Sequence, residues 1–212
     1  DVITVLGGSD TVFGGAGADL IDAGDGDNRI AGDGATLTAT EYATLNASTD
    51  GDDTIISGAG ADIVLGGQGG DALITGAGDD LISGDGAVVI LAANVATSAT
   101  TRSSQGGSGD TIDAGAGDDV ILGGAGADSI TGGAGNDHML GDFGTADLVG
   151  GVGLTSLDVV DGGDDTIAGG DGDDVAIGGA GINVFSDTGG TNIVIGGAGS
   201  LTAGGALTVD NS

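Results

Sequence analysis

The chain has 212 residues, of which 51 are glycine, contains no proline, cysteine or tryptophan, and carries a formal net charge of −31. Glycine in that amount without an every-third spacing excludes collagen, the missing proline excludes a Pro-Gly linker, and the missing cysteine excludes a disulfide framework. Such a charge alone would predict disorder, and with Arg29 and Arg102 as the only basic residues neither nucleic-acid binding nor membrane insertion is expected.

Order is predicted by a nine-residue pattern. In Gly14-Gly15-Ala16-Gly17-Ala18-Asp19-Leu20-Ile21-Asp22, glycine holds places one, two and four, a carboxylate place six and an apolar residue place eight. The first run, 1–34, has Asp1, Asp10, Asp19 and Asn28 at place six, with Ile3, Val12, Ile21 and Ile30 at place eight. It ends in Gly32-Asp33-Gly34-Ala35 and is followed by an insert, 35–50, bearing Leu37, Tyr42 and Leu45. The second run, 51–86, repeats Asp53, Asp62, Asp71 and Asp80 with Ile55, Val64, Leu73 and Ile82. It ends in Gly84-Asp85-Gly86-Ala87 before the insert 87–105, which carries Val88 to Leu91 and Val95. The third run, 106–143, has Asp110, Asp119, Asp128 and Asp137 with Ile112, Ile121, Ile130 and Met139. Gly141-Asp142-Phe143-Gly144 then leads into the insert 144–160, with Leu148, Leu154, Leu157, Val159 and Val160. The fourth, 161–199, has Asp165, Asp174, Asn183 and Asn192 with Ile167, Ala176, Phe185 and Val194. Runs two to four re-enter the pattern with Asp-Thr-Ile, so a larger unit of roughly fifty-five residues recurs in one solenoid domain over 1–212.

Glycine turns followed by short β-branched stretches predict half a coil per repeat. Two repeats, eighteen residues, bring the chain back about one strand spacing higher, roughly 4.8 Å. Asp53 is then expected over Asp71, Asp62 over Asp80, Asp110 over Asp128 and Asp119 over Asp137. Alternation turns place eight inward between two parallel sheets and places seven and nine outward. The outward columns include Leu20, Ile63, Leu65, Ile74, Leu81, Val120 and Leu122, and they need a cover, either the inserts, read as three flaps on the roll, or another chain.

Stacked carboxylates one strand apart repel by roughly 1 kcal/mol per pair in water and several times that at an effective dielectric near 20. Something positive must lie between the layers. With oxygen donors only and no histidine or cysteine clusters, calcium fits best, because it accepts six to eight oxygens including carbonyls; several ions are expected. The acids at place five, Asp27, Asp52, Asp79, Asp118, Asp164 and Asp173, are expected to face solvent. His138 lacks partners for chemistry, no glycine turn is followed by Lys-Ser or Lys-Thr, and Asn46-Ala47-Ser48 matches a short glycosylation acceptor.

On these residues the chain resembles the RTX, or hemolysin-type, calcium-binding repeat family, in the interrupted form found in large bacterial surface proteins. The resemblance implies an all-β, right-handed parallel β-roll that is unfolded at low calcium and folds after type I secretion. It implies that the place-six Asp and the turn carbonyls hold calcium, making Asp10, Asp19, Asp53, Asp62, Asp71, Asp80, Asp110, Asp119, Asp128, Asp137, Asp165 and Asp174 the metal ligands. Asn28, Asn183 and Asn192 depart from the pattern, as does Asp187-Thr188 in place of two glycines, so weak or absent metal is expected at the C-terminal end.

Two functions follow as expectations. The first is an extracellular or cell-surface structural protein, a calcium-rigidified rod in a surface layer, adhesin stalk or filament. The second is the calcium-dependent folding and secretion module of a type I secreted enzyme or toxin whose active domain lies elsewhere. No catalysis is expected within these residues. The chain opens at place six and is read as a piece of something longer, and uncapped ends together with apolar columns leave two expectations, a homopolymer packed end to end and sideways, or ends capped by flanking repeats and columns covered by the inserts.

Overall fold

The computed structural model describes residues 1–45, 51–102, 108–157, 162–201 and 207–209. The matched glycosylation acceptor and Val159 and Val160 lie outside these residues. Among the described residues every regular element is a strand, and no helix is long and apolar enough to cross a membrane.

Odd and even repeats build two eight-stranded parallel sheets. The first sheet stacks Val2–Thr4, Leu20–Asp22, Thr54–Ile56, Ala72–Ala77, Thr111–Ala116, Ser129–Ala134, Thr166–Asp171 and Val184–Ser186. The second stacks Thr11–Phe13, Arg29–Ala31, Ile63–Gly67, Leu81–Asp85, Val120–Gly124, His138–Asp142, Val175–Ile177 and Ile193–Ile195. Place eight pairs with place eight throughout, as in Ile21 with Ile55, Leu73 with Ile112 and Ile130 with Ile167, so the inserts lengthen the excursion between coils without slipping the register. The turns use positive φ at places two and four, for example Gly76 at 102° and Gly78 at 149°, where a side chain would be strained. Fifteen place-eight and turn residues from Val12 to Ala176 form a continuous buried core between the sheets. At the far end of the array the packing thins, and Val194 is half exposed.

The inserts are not three separate flaps. Each is a β-hairpin: Ala35–Leu37 with Glu41–Thr44, Ala87–Ala92 with Val95–Thr101, and Gly144–Asp147 with Gly153–Ser156. A fourth hairpin, Gly199–Leu201 with Leu207–Val209, begins at the boundary where the last repeat run was read to end. Neighbouring hairpins pair with each other, and all four join into one eight-stranded antiparallel sheet. The physical reason is spacing. A hairpin supplies two strands and therefore rises by two strand spacings, about 9.6 Å, which is also the rise of two coils. One hairpin per two coils thus tiles the side of the roll without a gap, and this match sets the larger repeat unit.

This third sheet settles what covers the outward columns of the second. Leu65, Leu122, Leu140 and Ile177 from the second sheet pack with Tyr42, Val89, Ala146 and Leu154 from the hairpins in a second buried core. A parallel sheet buried on both faces reads as continuous apolar runs, such as Val120-Ile121-Leu122. The first sheet instead alternates, with Thr111 and Asp113 exposed about buried Ile112, and its outer face stays open. Both arginines reach carbonyls of the hairpin sheet. Arg29 donates to Asn94 at the tip of the second hairpin at 2.7 Å, and Arg102 donates to Thr44 of the first at 2.8 Å.

Because Leu122 is fully buried under the hairpins, Leu122→Ala should cost about 2–5 kcal/mol. In calcium, thermal melting should show that loss, whereas Ile74→Ala on the open face of the first sheet should cost much less.

Candidate metal centre

The turns stack on the two edges of the roll and bring the place-six side chains into two columns. One column runs Asp19, Asp53, Asp71, Asp110, Asp128, Asp165 and Asn183; the other runs Asp10, Asn28, Asp62, Asp80, Asp119, Asp137, Asp174 and Asn192. Each member's backbone N–H donates to Oδ1 of the next, at 2.8 Å from Asp53 to Asp71 and 2.7 Å from Asp71 to Asp110. The four stacked pairs expected from the eighteen-residue step are all present, and each column continues across the inserts. The side chain therefore caps a neighbouring layer's backbone, a role that stands beside any metal.

The second oxygen is the informative one. While the Asp62 and Asp80 carboxyls lie within reach of Ser57, Asn28 and Thr75 side chains, Oδ2 of Asp10, Asp19, Asp71, Asp110, Asp119, Asp128, Asp137, Asp165 and Asp174 is buried without a hydrogen-bond partner. A buried carboxylate oxygen left in that state is costly. Around it lie more acceptors. A methyl group added at Gly66 would collide with both Oδ2 of Asp71 and the carbonyl oxygen of Gly84, and one at Gly123 with Oδ2 of Asp128 and the carbonyl oxygen of Gly141. Lone pairs thus converge on a small space that no side chain enters. Among the described residues no three His, Cys, Asp or Glu side chains form a metal-binding group; the acceptors that meet in these turns are single carboxylates and backbone carbonyls.

Electrostatics agrees with this. Burial, opposed by the backbone hydrogen bond and reinforced by neighbouring carboxylates, pushes Asp110 up to about 10 and Asp128 to about 9. Burial likewise raises Asp71, Asp119 and Asp165 to about 7, and Asp62 and Asp137 to about 6. Carboxylates raised this far, Asp110 and Asp128 above all, are held in their charged form at neutral pH by a compensating cation. The oxygens fit calcium, which takes carboxylate and carbonyl donors in flexible geometry.

The pattern in the turns and the donor set meet in the family comparison. The model of the RTX calcium-binding nonapeptide repeat matches residues 1–35, 48–73, 66–87, 105–146 and 159–185, which together take in more than half of the chain. The chain belongs to the RTX calcium-binding repeat family. No curated protein matches it closely enough to add a relative. As an RTX protein it is a calcium-binding repeat protein with a parallel β-roll.

Within this RTX roll the place-five acids behave as a separate, exposed ladder running the other way. Asp79 accepts from the Asp118 amide at 3.0 Å and Asp118 from the Asn136 amide at 2.8 Å, both at the surface. His138 is partly buried at place seven, where burial lowers its pKa below the ordinary histidine value.

The nonapeptide frame gave no role to Asp33, Asp85 and Asp142, which stand at place two where glycine is the rule. All three are buried. Asp33 accepts the Gln68 N–H at 2.6 Å, Asp85 accepts that of Ala125, and Asp142 accepts those of Gly163, at 3.0 Å, and Ala180. They tie each hairpin-bearing turn to the plain turn that follows. Their recurrence just before every insert was the signal that could have revealed them.

Proposed function

We propose that the chain is an extracellular structural element of a bacterial surface, exported by type I secretion and stiffened by calcium ions held at the place-six aspartates from Asp10 to Asp174. The observation that supports this reading is the shared rise of all three sheets. Coils, carboxylate columns and hairpins advance along one axis, and the two cores run nearly the length of the array. That is the construction of a rod, in which each layer contacts only its neighbours and stiffness grows with the number of layers. We read the residues as structural and not catalytic. The open face of the first sheet, with Leu20, Ile56 and Ile74 exposed, is the surface available for lateral association into a layer or filament.

Electron microscopy and small-angle scattering with and without calcium test this. Elongated particles in calcium, associating further at high protein concentration and collapsing in chelator, are the expected result. Strictly monomeric particles at high concentration would rule out self-assembly, and compact isotropic particles in calcium would rule out the rod.

A further inference from the structure

We propose that Asn28, Asn183 and Asn192 close their layers with the side-chain amide in place of an ion, so that the choice of Asp or Asn at place six determines which layers take calcium. This rests on the calcium reading of the columns and extends it.

At the aspartates Oδ1 accepts the previous layer's N–H, and at Asp19, Asp71, Asp110, Asp128, Asp137 and Asp165 Oδ2 lies beside a turn carbonyl oxygen. At Asn28 the first half of that arrangement is kept, with Oδ1 accepting from the Asp10 amide at 3.0 Å. The second half is reversed in sign. Nδ2 lies 3.0 Å from the Gly24 carbonyl oxygen, 2.8 Å from that of Gly26 and 3.2 Å from that of Ser57 in the next coil, and donates to them. The amide therefore bridges two layers through the carbonyls lining the turn. The other two asparagines repeat the pattern. Asn183 accepts from Asp165 at 2.7 Å and donates to the carbonyls of Ala180 at 2.9 Å and Gly196 at 3.4 Å. Asn192 accepts from Asp174 at 2.6 Å and donates to Gly189 at 2.9 Å and to the carboxylate of Asp187, which stands in place of a turn glycine.

The orientation is fixed by the network. A flipped amide would set NH2 against the Asp10 N–H and oxygen against the carbonyls, losing both interactions. Chemically, the substitution removes one negative charge and supplies two hydrogens where the carboxylate leaves an acceptor bare. A calcium ion approaching such a layer meets an N–H2 group where the place-six carboxylate would stand, contrary to its demand for hard oxygen donors. Asn28 thus sets Asp10 apart from the run Asp62, Asp80, Asp119, Asp137 and Asp174, and Asn183 and Asn192 end the two columns of acids.

Calcium stoichiometry by equilibrium dialysis on the full chain, with circular dichroism alongside, tests the proposal. Asn28→Asp should bind one more ion than the parent. Asp80→Asn should bind one fewer, keep its β-signal in calcium and need no more calcium to fold, whereas Asp80→Ala should lose an ion and need more. Unchanged stoichiometry in Asn28→Asp, or an Asp80→Asn midpoint raised as far as that of Asp80→Ala, overturns the proposal. If Asn28→Asp does not fold, the comparison of Asp80→Asn with Asp80→Ala still decides. A parent chain that binds no calcium at all would instead overturn the reading of the columns, and this proposal with it.

Discussion

Transferred to calcium-free buffer at neutral pH, the chain is expected to lose its β-structure and to recover it on addition of millimolar calcium, with magnesium a poor substitute. The columns hold neighbouring carboxylates one layer apart, each pair costing roughly 1 kcal/mol in water and several times that at an effective dielectric near 20. Over two columns this competes with a typical domain stability of about 5–15 kcal/mol. Binding and folding then share one free energy, because the donor set exists only when the turns are stacked. Protons should partly replace the metal. Asp62, Asp71, Asp110, Asp119, Asp128, Asp137 and Asp165 have folded-state values raised to between about 6 and about 10, above the ordinary carboxylate value, so the folded form holds more protons than the unfolded one across that window. The stability of the calcium-free chain therefore falls as pH rises through it. Circular dichroism in calcium-free buffer should show β-structure gained towards acid and lost towards alkali. With calcium present the dependence inverts, since protons compete for the ligands, and the calcium midpoint should climb as pH drops below about 7, the value to which Asp71, Asp119 and Asp165 are raised. A calcium-free β-signal that is flat with pH would show that the columns do not carry the buried charge ascribed to them.

The second large effect belongs to Asp119→Ala. This residue accepts the Asp80 N–H at 2.8 Å through Oδ1, its own N–H donates to Asp137 at 3.0 Å, and its Oδ2 is one of the bare buried oxygens. Truncation strands the Asp80 amide in the interior, at about 1–3 kcal/mol, and removes a calcium donor as well. Asp118→Ala breaks only the surface hydrogen bonds to Asn136 at 2.8 and 3.1 Å. Calcium titrations followed by melting should place Asp119→Ala well below both the parent and Asp118→Ala in stability, with a higher calcium midpoint. Equal behaviour of the two variants would mean that the register assigned to the column is wrong.

The parts of the fold that were readable are those governed by a local period. A spacing of nine fixes which residue faces inward, and Ile21, Ile55, Leu73 and Ile112 stack as that spacing requires. The columns follow from the same rule, and the place-six residues, asparagines included, stand in two continuous stacks. What was not readable depends on non-local pairing. Val89 pairs with Tyr42 in one direction and Ala99 in the other, and nothing in three dissimilar inserts announces that they share a sheet. The fourth hairpin is hidden in the sequence because residues near Gly199 look like a fading repeat. Asp33, Asp85 and Asp142 were passed over because a frame built on glycine at place two treats an acid there as the end of the pattern, although its side chain reaches the backbone of the next plain turn. In the sequence the asparagines are only departures from the ligand pattern. Only the positions of the turn carbonyls reveal that their amides fill the gap.

The central claim is that calcium lies between the layers, against the bare Oδ2 oxygens and the turn carbonyls. Anomalous scattering from crystals grown in calcium measures this directly. The account predicts difference peaks along both edges of the roll, beside Asp62, Asp71, Asp80, Asp110, Asp119, Asp128 and Asp137, and none at the amide of Asn28. A folded roll whose columns show no such peaks, or whose calcium sits only on the exposed place-five acids, would contradict it.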